Sequence, residues 1–327
     1  MNSERRLASI PDLQSVYYHR DFDGVVSAAM LVSLLSTAPQ LYPVDYHLKA
    51  NWASMDLGKP AAIVDFLFHP DAALWIDHHV DPFIIPEWKY IALQQQFYVW
   101  DLTALSCPPL IDRVFQFTGN LRKHFAPYIH WSSIIDSARY ESPQAATDLN
   151  NPFLLLSKIL ALPNAEAITN CVVHEVVRHP VDVLLTHPDV DPLAKKVIDI
   201  EYQIKEEIYR LIEYDGIVVL LDQSFKHWPY QRYYPYLIYP DASYVVGIYR
   251  LDHSFTVSVG ANPWKPEPGI HLGLLCKQLG GGGRKNVAGV PTADAKTARV
   301  IATRIIEKLH EVTTRSNLFG RKALGAI

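Results

Sequence analysis

His19-Arg20-Asp21-Phe22-Asp23-Gly24 is the stretch on which the reading of the whole chain turns. It follows the apolar run Val16-Tyr17-Tyr18, which has the character of a buried strand. It precedes Val25 to Leu35, whose apolar and small residues suit a buried helix. Gly24 permits a tight turn between the two. One imidazole and two carboxylates thus stand at the carboxyl end of a strand, the edge at which open α/β sheets hold their ligands. On a straight strand these side chains would alternate between faces. On a strand-to-helix turn they converge.

The pattern recurs along the N-terminal half. Leu41 to Leu48 alternates as a second strand, Ala61-Ala62-Ile63-Val64 ends in Asp65, and Leu74-Trp75-Ile76 ends in Asp77-His78-His79. A core strand has no use for charge at its last position, because a buried unpaired charge is costly. Further on, the apolar stretch Trp131-Ser132-Ser133-Ile134-Ile135 leads into Asp136. Adjacent parallel strands would gather His19, Asp21, Asp23, Asp65, His78, His79 and Asp136 into one cluster. Carboxylates so gathered repel one another and cannot all ionise without compensating positive charge. A set rich in carboxylate and imidazole, with no thiolate, suits Mn²⁺, Mg²⁺ or Fe²⁺ better than a structural zinc. It is too large for one ion and natural for two. Paired divalent cations activate water and neutralise charge on a phosphoryl group. The expectation is a two-metal phosphoesterase with two divalent ions as cofactors, Mn²⁺ first and Mg²⁺ second.

Composition sets the bounds. The chain has 327 residues, 49% of them hydrophobic and 20% charged, enough for two domains with real cores. Its 30 Lys and Arg against 34 Asp and Glu give a net charge of -4. That balance argues against tight, sequence-independent duplex binding, which rests on phosphate neutralisation. The three cysteines, Cys107, Cys171 and Cys276, are far apart and suggest neither metal-ligand spacing nor a disulfide framework. No secretory signal and no apolar run long enough for a bilayer are seen, so a cytoplasmic protein without a membrane partner is expected.

The expected fold class is α/β: an N-terminal parallel-sheet domain over residues 1–190, a linker helix over 191–214, and a smaller α/β domain over 215–327. Pro82 to about Asp189 reads as mostly helical. Helical periodicity runs from Pro192 to Tyr214. The C-terminal part opens with a strand over Gly216 to Leu221, and further strands are expected over Tyr236–Tyr239, Ser243–Leu251 and Ser254–Val259, with Asp252-His253 as a hairpin turn. A last helix follows from about Ala293, with Thr292 as a candidate cap. Between two expected helices lies Gly280-Gly281-Gly282-Gly283-Arg284, where glycine amides can hold an anion and Arg284 can grip a phosphate with two hydrogen bonds. Trp228, Tyr230, Tyr233, Tyr234, Tyr236, Tyr239 and Tyr244 read mainly as packing. Trp264, in a proline-bearing loop, is the better candidate for stacking on a base. Arg139 follows Asp136 by three residues and would share its face on a helix, as a surface ion pair or as a substrate contact.

These residues, in this order, resemble the DHH phosphoesterase family, which includes nanoRNases, cyclic-dinucleotide phosphodiesterases and RecJ-type exonucleases. The family's His-x-Asp-x-Asp-Gly motif is matched by His19 to Gly24, its second aspartate by Asp65, its naming motif by Asp77-His78-His79 and its fourth aspartate by Asp136. The glycine motif of the DHH-associated C-terminal domain is matched by Gly280 to Gly289, with Arg284 where that motif usually carries histidine. The resemblance implies one metal held by His19, Asp21 and Asp65, and another held by Asp23, Asp65, His78 and Asp136. Asp77 and His79 would act from behind these ligands, with His79 near the phosphate. Gly281, Gly282, Gly283, Arg284, Trp264 and Arg139 count as substrate contacts, and the reaction would lie in the cleft between domains. A homodimer is a further implication. The function expected first is hydrolysis of short oligonucleotides or linear dinucleotides to mononucleotides. A single-strand exonuclease, a cyclic-dinucleotide phosphodiesterase, a nucleoside bisphosphate phosphatase and a nucleotide-binding sensor remain open.

Overall fold

A computed structural model describes residues 10, 12–58, 60–162, 165–226, 228, 231–251, 254–266 and 269–324 of the chain. It divides into two units, Met1–Arg139 with Leu149–Val197, and Tyr140–Asp148 with Ile198–Ile327.

The first unit is built on five strands, β1 (Ser15–His19), β2 (Gln40–Val44), β3 (Ala61–Val64), β4 (Leu74–Asp77) and β5 (Tyr98–Trp100). Every neighbouring pair is parallel, in the order β2-β1-β3-β4-β5. The strand order reverses between β1 and β3, the switch point at which doubly wound sheets bind ligands beyond their carboxyl ends. β3 and β4 are buried at every position, as expected of parallel strands covered on both faces. The helices of this unit are α1 (Phe22–Val32), α2 (Lys49–Trp52), α3 (Trp88–Gln94), α4 (Pro108–Phe115) and α5 (Gly119–Ser137). A short α6 (Pro143–Ala146) belongs to the other unit, and α7 (Pro152–Leu160), α8 (Glu166–Arg178) and α9 (Val181–Leu184) complete the first. The unit boundary falls within α10 (Asp191–Glu207).

Two fully buried indoles fix the connection after β3. Trp75 donates to the Phe66 carbonyl at 2.9 Å, and Trp52 donates to that of Phe68 at 3.1 Å. Phe68 meets Trp75 edge-on at 4.9 Å. The backbone amide of Asp65 donates to the Ile76 carbonyl at 2.9 Å. Asp65 therefore leaves β3 from a backbone clamped on both sides.

The second unit carries a mixed six-stranded sheet in the order β10-β11-β9-β8-β7-β6. Its elements are β6 (Ile212–Tyr214), β7 (Val218–Gln223), α11 (Tyr234–Ile238), β8 (Tyr244–Arg250), β9 (Phe255–Ala261), α12 (Leu272–Lys277), β10 (Gly282–Gly283), β11 (Val287–Thr292) and α13 (Ala295–Leu324). Only β7 and β8 pair in parallel; the other neighbours are antiparallel.

The α/β class and the parallel N-terminal sheet are as the sequence predicts, and several elements differ. The helical periodicity over 192–214 breaks at Glu207, because Ile212–Tyr214 pairs as an edge strand on β7. Residues 140–148 pack with the second unit rather than with the N-terminal part. β5 interrupts the stretch expected to be mostly helical. Where a strand is expected over Tyr236–Tyr239, Pro235 sits in the first turn of α11, a position whose missing N–H costs a helix nothing. The glycine run is the β10–β11 hairpin rather than a link between helices. Thr292 ends β11, and Asp294 caps α13, accepting from the Thr297 amide at 2.8 Å. Asp252-His253 and Tyr230 lie outside the described residues. Among the described residues no helix is long and apolar enough to cross a membrane.

Replacing Trp75 by alanine is expected to destabilise the protein by about 3–5 kcal/mol, through the cavity and the freed Phe66 carbonyl. Denaturant unfolding measures this, and a loss below about 1 kcal/mol would contradict the clamp.

Candidate metal centre

The strand-to-helix turn places the first three side chains. His19 closes β1, Asp21 caps α1 by accepting from the Gly24 amide at 3.0 Å, and Asp23 lies in the first helical turn. A Cβ on Gly24 would overlap the His19 carbonyl oxygen, so the close approach requires glycine. Asp65 follows β3 with φ at 57°, in the left-handed region that costs a non-glycine residue about 1–3 kcal/mol. Asp77 ends β4, and His78 and His79 follow it. Asp136 comes from the last turn of α5, not from a strand end.

These residues meet. His78 Nε2 is 3.3 Å from Asp65 Oδ1, 3.4 Å from Asp23 Oδ2 and 3.6 Å from Asp136 Oδ2. His19 Nδ1 is 2.9 Å from Asp21 Oδ2 and 3.8 Å from Asp65 Oδ2. The two oxygens of Asp65 thus face two different groups, His19 with Asp21 on one side and His78 with Asp23 and Asp136 on the other. Each group, His19–Asp21–Asp65 and Asp23–His78–Asp136, has the spacing of a metal site. His79 Nδ1 is 3.7 Å from Asp65 Oδ1 but is engaged by Asp77 Oδ1 at 2.8 Å.

Protons answer the crowding of charge within the protein itself. Burial lowers the pKa of His78, but Asp23 and Asp65 outweigh it and push it up to about 12. Burial likewise opposes charge on His79, yet Asp77 and Asp65 raise it to about 9. His19 is raised against burial by Asp21, Asp45 and Asp65. Burial and the Asp65 charge raise Asp23 well above the carboxylate range, with His78 opposing. Burial and Asp65 also lift Asp136 to about 6. For Asp65 burial is outweighed by His19, His78 and His79, which hold it low.

The donor set fits divalent cations. His19 Nδ1, both Asp65 oxygens and His78 Nε2 are buried without an aligned hydrogen bond, although charged partners stand close by. Such polar atoms are costly to bury unless they are paired or coordinated. The set offers carboxylate oxygen and imidazole nitrogen without sulfur, which matches Mn²⁺ or Mg²⁺. Two helix N-termini add positive potential. Asp21 and Asp23 begin α1, and the Cys107 amide at the start of α4 donates to both oxygens of Asp23, at 3.1 and 3.0 Å.

α5 ends at Ser137 and Ala138 takes a left-handed conformation with φ at 55°, so Arg139 lies beyond the helix and does not share a helical face with Asp136. The Trp264 indole donates to the Tyr140 carbonyl at 2.8 Å and packs edge-on against Tyr236 at 5.7 Å. A Cβ on Gly281 would overlap the Gly289 carbonyl, and one on Gly283 would overlap Ala288, so the hairpin's own packing requires both glycines. Gly282 has open space, and Arg284 is exposed.

Two further residues, neither marked by a motif, neighbour the centre. Asp45 stands 3.9 Å from His19 Nε2 and 2.6 Å from Arg20 Nε, and Tyr46 packs edge-on to His19 at 5.2 Å. Asp45 follows the last residue of β2, the same strand-end signal as Asp65, hidden by reading that strand through to Leu48.

No family model matches the chain, and no curated protein matches it. Among solved structures it is similar to the pGpG-specific phosphodiesterase PggH from Vibrio cholerae, at 17% identity, a TM-score of 0.71, and coverage of 91% of this chain and 99% of that one. The two share a fold. A looser likeness, at 10% identity and a TM-score of 0.48, is to RecJ from Thermus thermophilus in complex with Mn²⁺, covering 91% of this chain and 52% of that one.

Because His19, His78 and Asp23 are held toward their protonated forms, Mn²⁺ must displace protons to bind. Its affinity is expected to rise with pH between about 6 and 8, roughly tenfold per unit for each proton released. Calorimetric titration in buffers of differing ionisation enthalpy reads the release directly, and an affinity independent of pH would contradict it. Gly24→Ala is expected to cost about 1–3 kcal/mol by overpacking and to weaken Mn²⁺ binding with it. Unchanged stability and binding would exclude the proposed constraint.

Proposed function

We propose that the chain is a two-metal phosphodiesterase that hydrolyses linear dinucleotides or short oligonucleotides to mononucleotides. The observation that carries this reading is the split of Asp65, whose two oxygens face two separate groups with metal-site spacing. His19, Asp21 and Asp65 would hold one ion, and Asp23, Asp65, His78 and Asp136 the other. When bound, such a pair of ions activates water and neutralises charge on the phosphoryl group.

The remaining work falls to the chain's own residues. Asp77 is wholly buried and binds His79 Nδ1, so it fixes the ring and raises its basicity. That bond leaves His79 Nε2 to hold a proton toward a phosphoryl oxygen, and the Asp77 carboxylate raises the ring's pKa against burial. The clamped backbone at Asp65 and the amide anchor on Asp23 keep these carboxylates in place before substrate arrives, which lowers the reorganisation that catalysis requires. The modest net charge of -4 supports a small substrate over a long polyanion. The shared fold with a protein described as specific for pGpG supports the same substrate class.

Turnover with Mn²⁺ over linear dinucleotides, cyclic dinucleotides, adenosine bisphosphate and long single strands tests this reading, with linear dinucleotides expected to be hydrolysed fastest and EDTA expected to abolish the rate. Equal rates in EDTA would overturn it. Nucleotide binding without any turnover would favour a sensor. Asp65→Asn is expected to lower the rate by at least about 100-fold, and Asp77→Asn by about 10–100-fold.

A further inference from the structure

A second group of ligand-type side chains lies in the first unit and shares no residue with the centre at the strand ends. Cys171 on α8 and His187 and Asp189 in the turn between α9 and α10 come together. Cys171 Sγ is 3.8 Å from His187 Nδ1, and the same nitrogen is 3.8 Å from Asp189 Oδ2. Tetrahedral zinc, with bonds of about 2.3 Å to sulfur and about 2.0–2.2 Å to nitrogen and oxygen, sets neighbouring ligand atoms about 3.3–3.6 Å apart. The ligand atoms of the three side chains lie within 4.8 Å of one another, so the side chains would draw together on an ion.

The frame around them is built. The His187 amide donates to the Leu184 carbonyl at 3.0 Å, and the His187 carbonyl accepts from Val190 and Asp191, both at 2.9 Å. The turn is therefore wound about His187. The Asp189 amide stands 3.2 Å from Nδ1, a long bond that an ion on that nitrogen would displace. Burial raises the thiol pKa of Cys171, and Asp189 and Glu175 raise it further against Arg178, which marks an anionic neighbourhood. Asp189 is largely exposed, which leaves water access to a fourth position.

We propose that Cys171, His187 and Asp189 form a thiolate-bearing site for a zinc-class ion, distinct in ligand chemistry from the carboxylate and imidazole centre. Thiolate and imidazole select zinc over Mg²⁺ or Mn²⁺. On binding, the thiol proton passes to solvent and the ion ties α8 to the turn before α10.

Full-length wild-type protein and Cys171→Ser, dialysed against the same Zn²⁺ solution, test the proposal. The wild type is expected to retain one more zinc per chain by elemental analysis. Replacement by Co²⁺ is expected to give a near-ultraviolet thiolate-to-cobalt charge-transfer band that is absent in Cys171→Ser. His187→Gln, which keeps the thiol, is expected to lose the same equivalent of zinc and decides the matter if the serine variant does not fold. Equal zinc content in all folded proteins, or a cobalt spectrum unchanged by Cys171→Ser, would overturn it.

Discussion

Mutual repulsion among aspartates at the carboxyl edge of one sheet is the constraint that organises the first unit. Asp23, Asp65, Asp77 and Asp136 stand beside or one contact away from one another, and burial makes their like charge more expensive. The fold answers with imidazoles placed between the carboxylates and with a helix amide directed at Asp23. It also holds Asp65 in a left-handed backbone conformation that only a well-clamped loop sustains. Divalent cations would complete that balance, since each group of carboxylates and imidazoles has the spacing of a metal site.

Parallel pairing makes the convergence possible. Neighbouring strands about 4.8 Å apart bring their ends within reach of one ion or a pair of ions. β1, β3 and β4 are adjacent in the sheet, and each ends in, or is followed at once by, a ligand-type side chain. Asp136 enters from a helix instead. Its apolar approach, Ile134-Ile135, resembles a strand in sequence but belongs to α5.

Much of this was legible because strand-end charge is a local signal. A short apolar run followed by Asp or His can be read without knowing which strands are neighbours. Asp45 escaped because Tyr46 and Leu48 prolong the apolar alternation through a 3₁₀ turn and conceal where β2 stops. The Cys107 amide carried no signal at all, since a backbone donor is the same for every residue type but proline. In the second unit, local propensity misled where tertiary context decided. Tyr236 to Tyr239 favours a strand by composition, yet its first three residues belong to the short helix α11, and the glycine run is a hairpin whose packing excludes side chains at Gly281 and Gly283. The Cys171, His187 and Asp189 group was equally invisible, because its members come from two segments and no spacing rule joins them.

The anchor on Asp23 has a consequence for how this centre tolerates sequence change. Its donor is main chain, so drift at position 107 among ordinary side chains of fitting volume leaves the two bonds in place. An aspartate whose partner is an amide rather than a lysine or arginine cannot lose that partner through a charge-reversing substitution. The carboxylate of Asp23 is thereby insulated from mutation in a way that its imidazole neighbours are not.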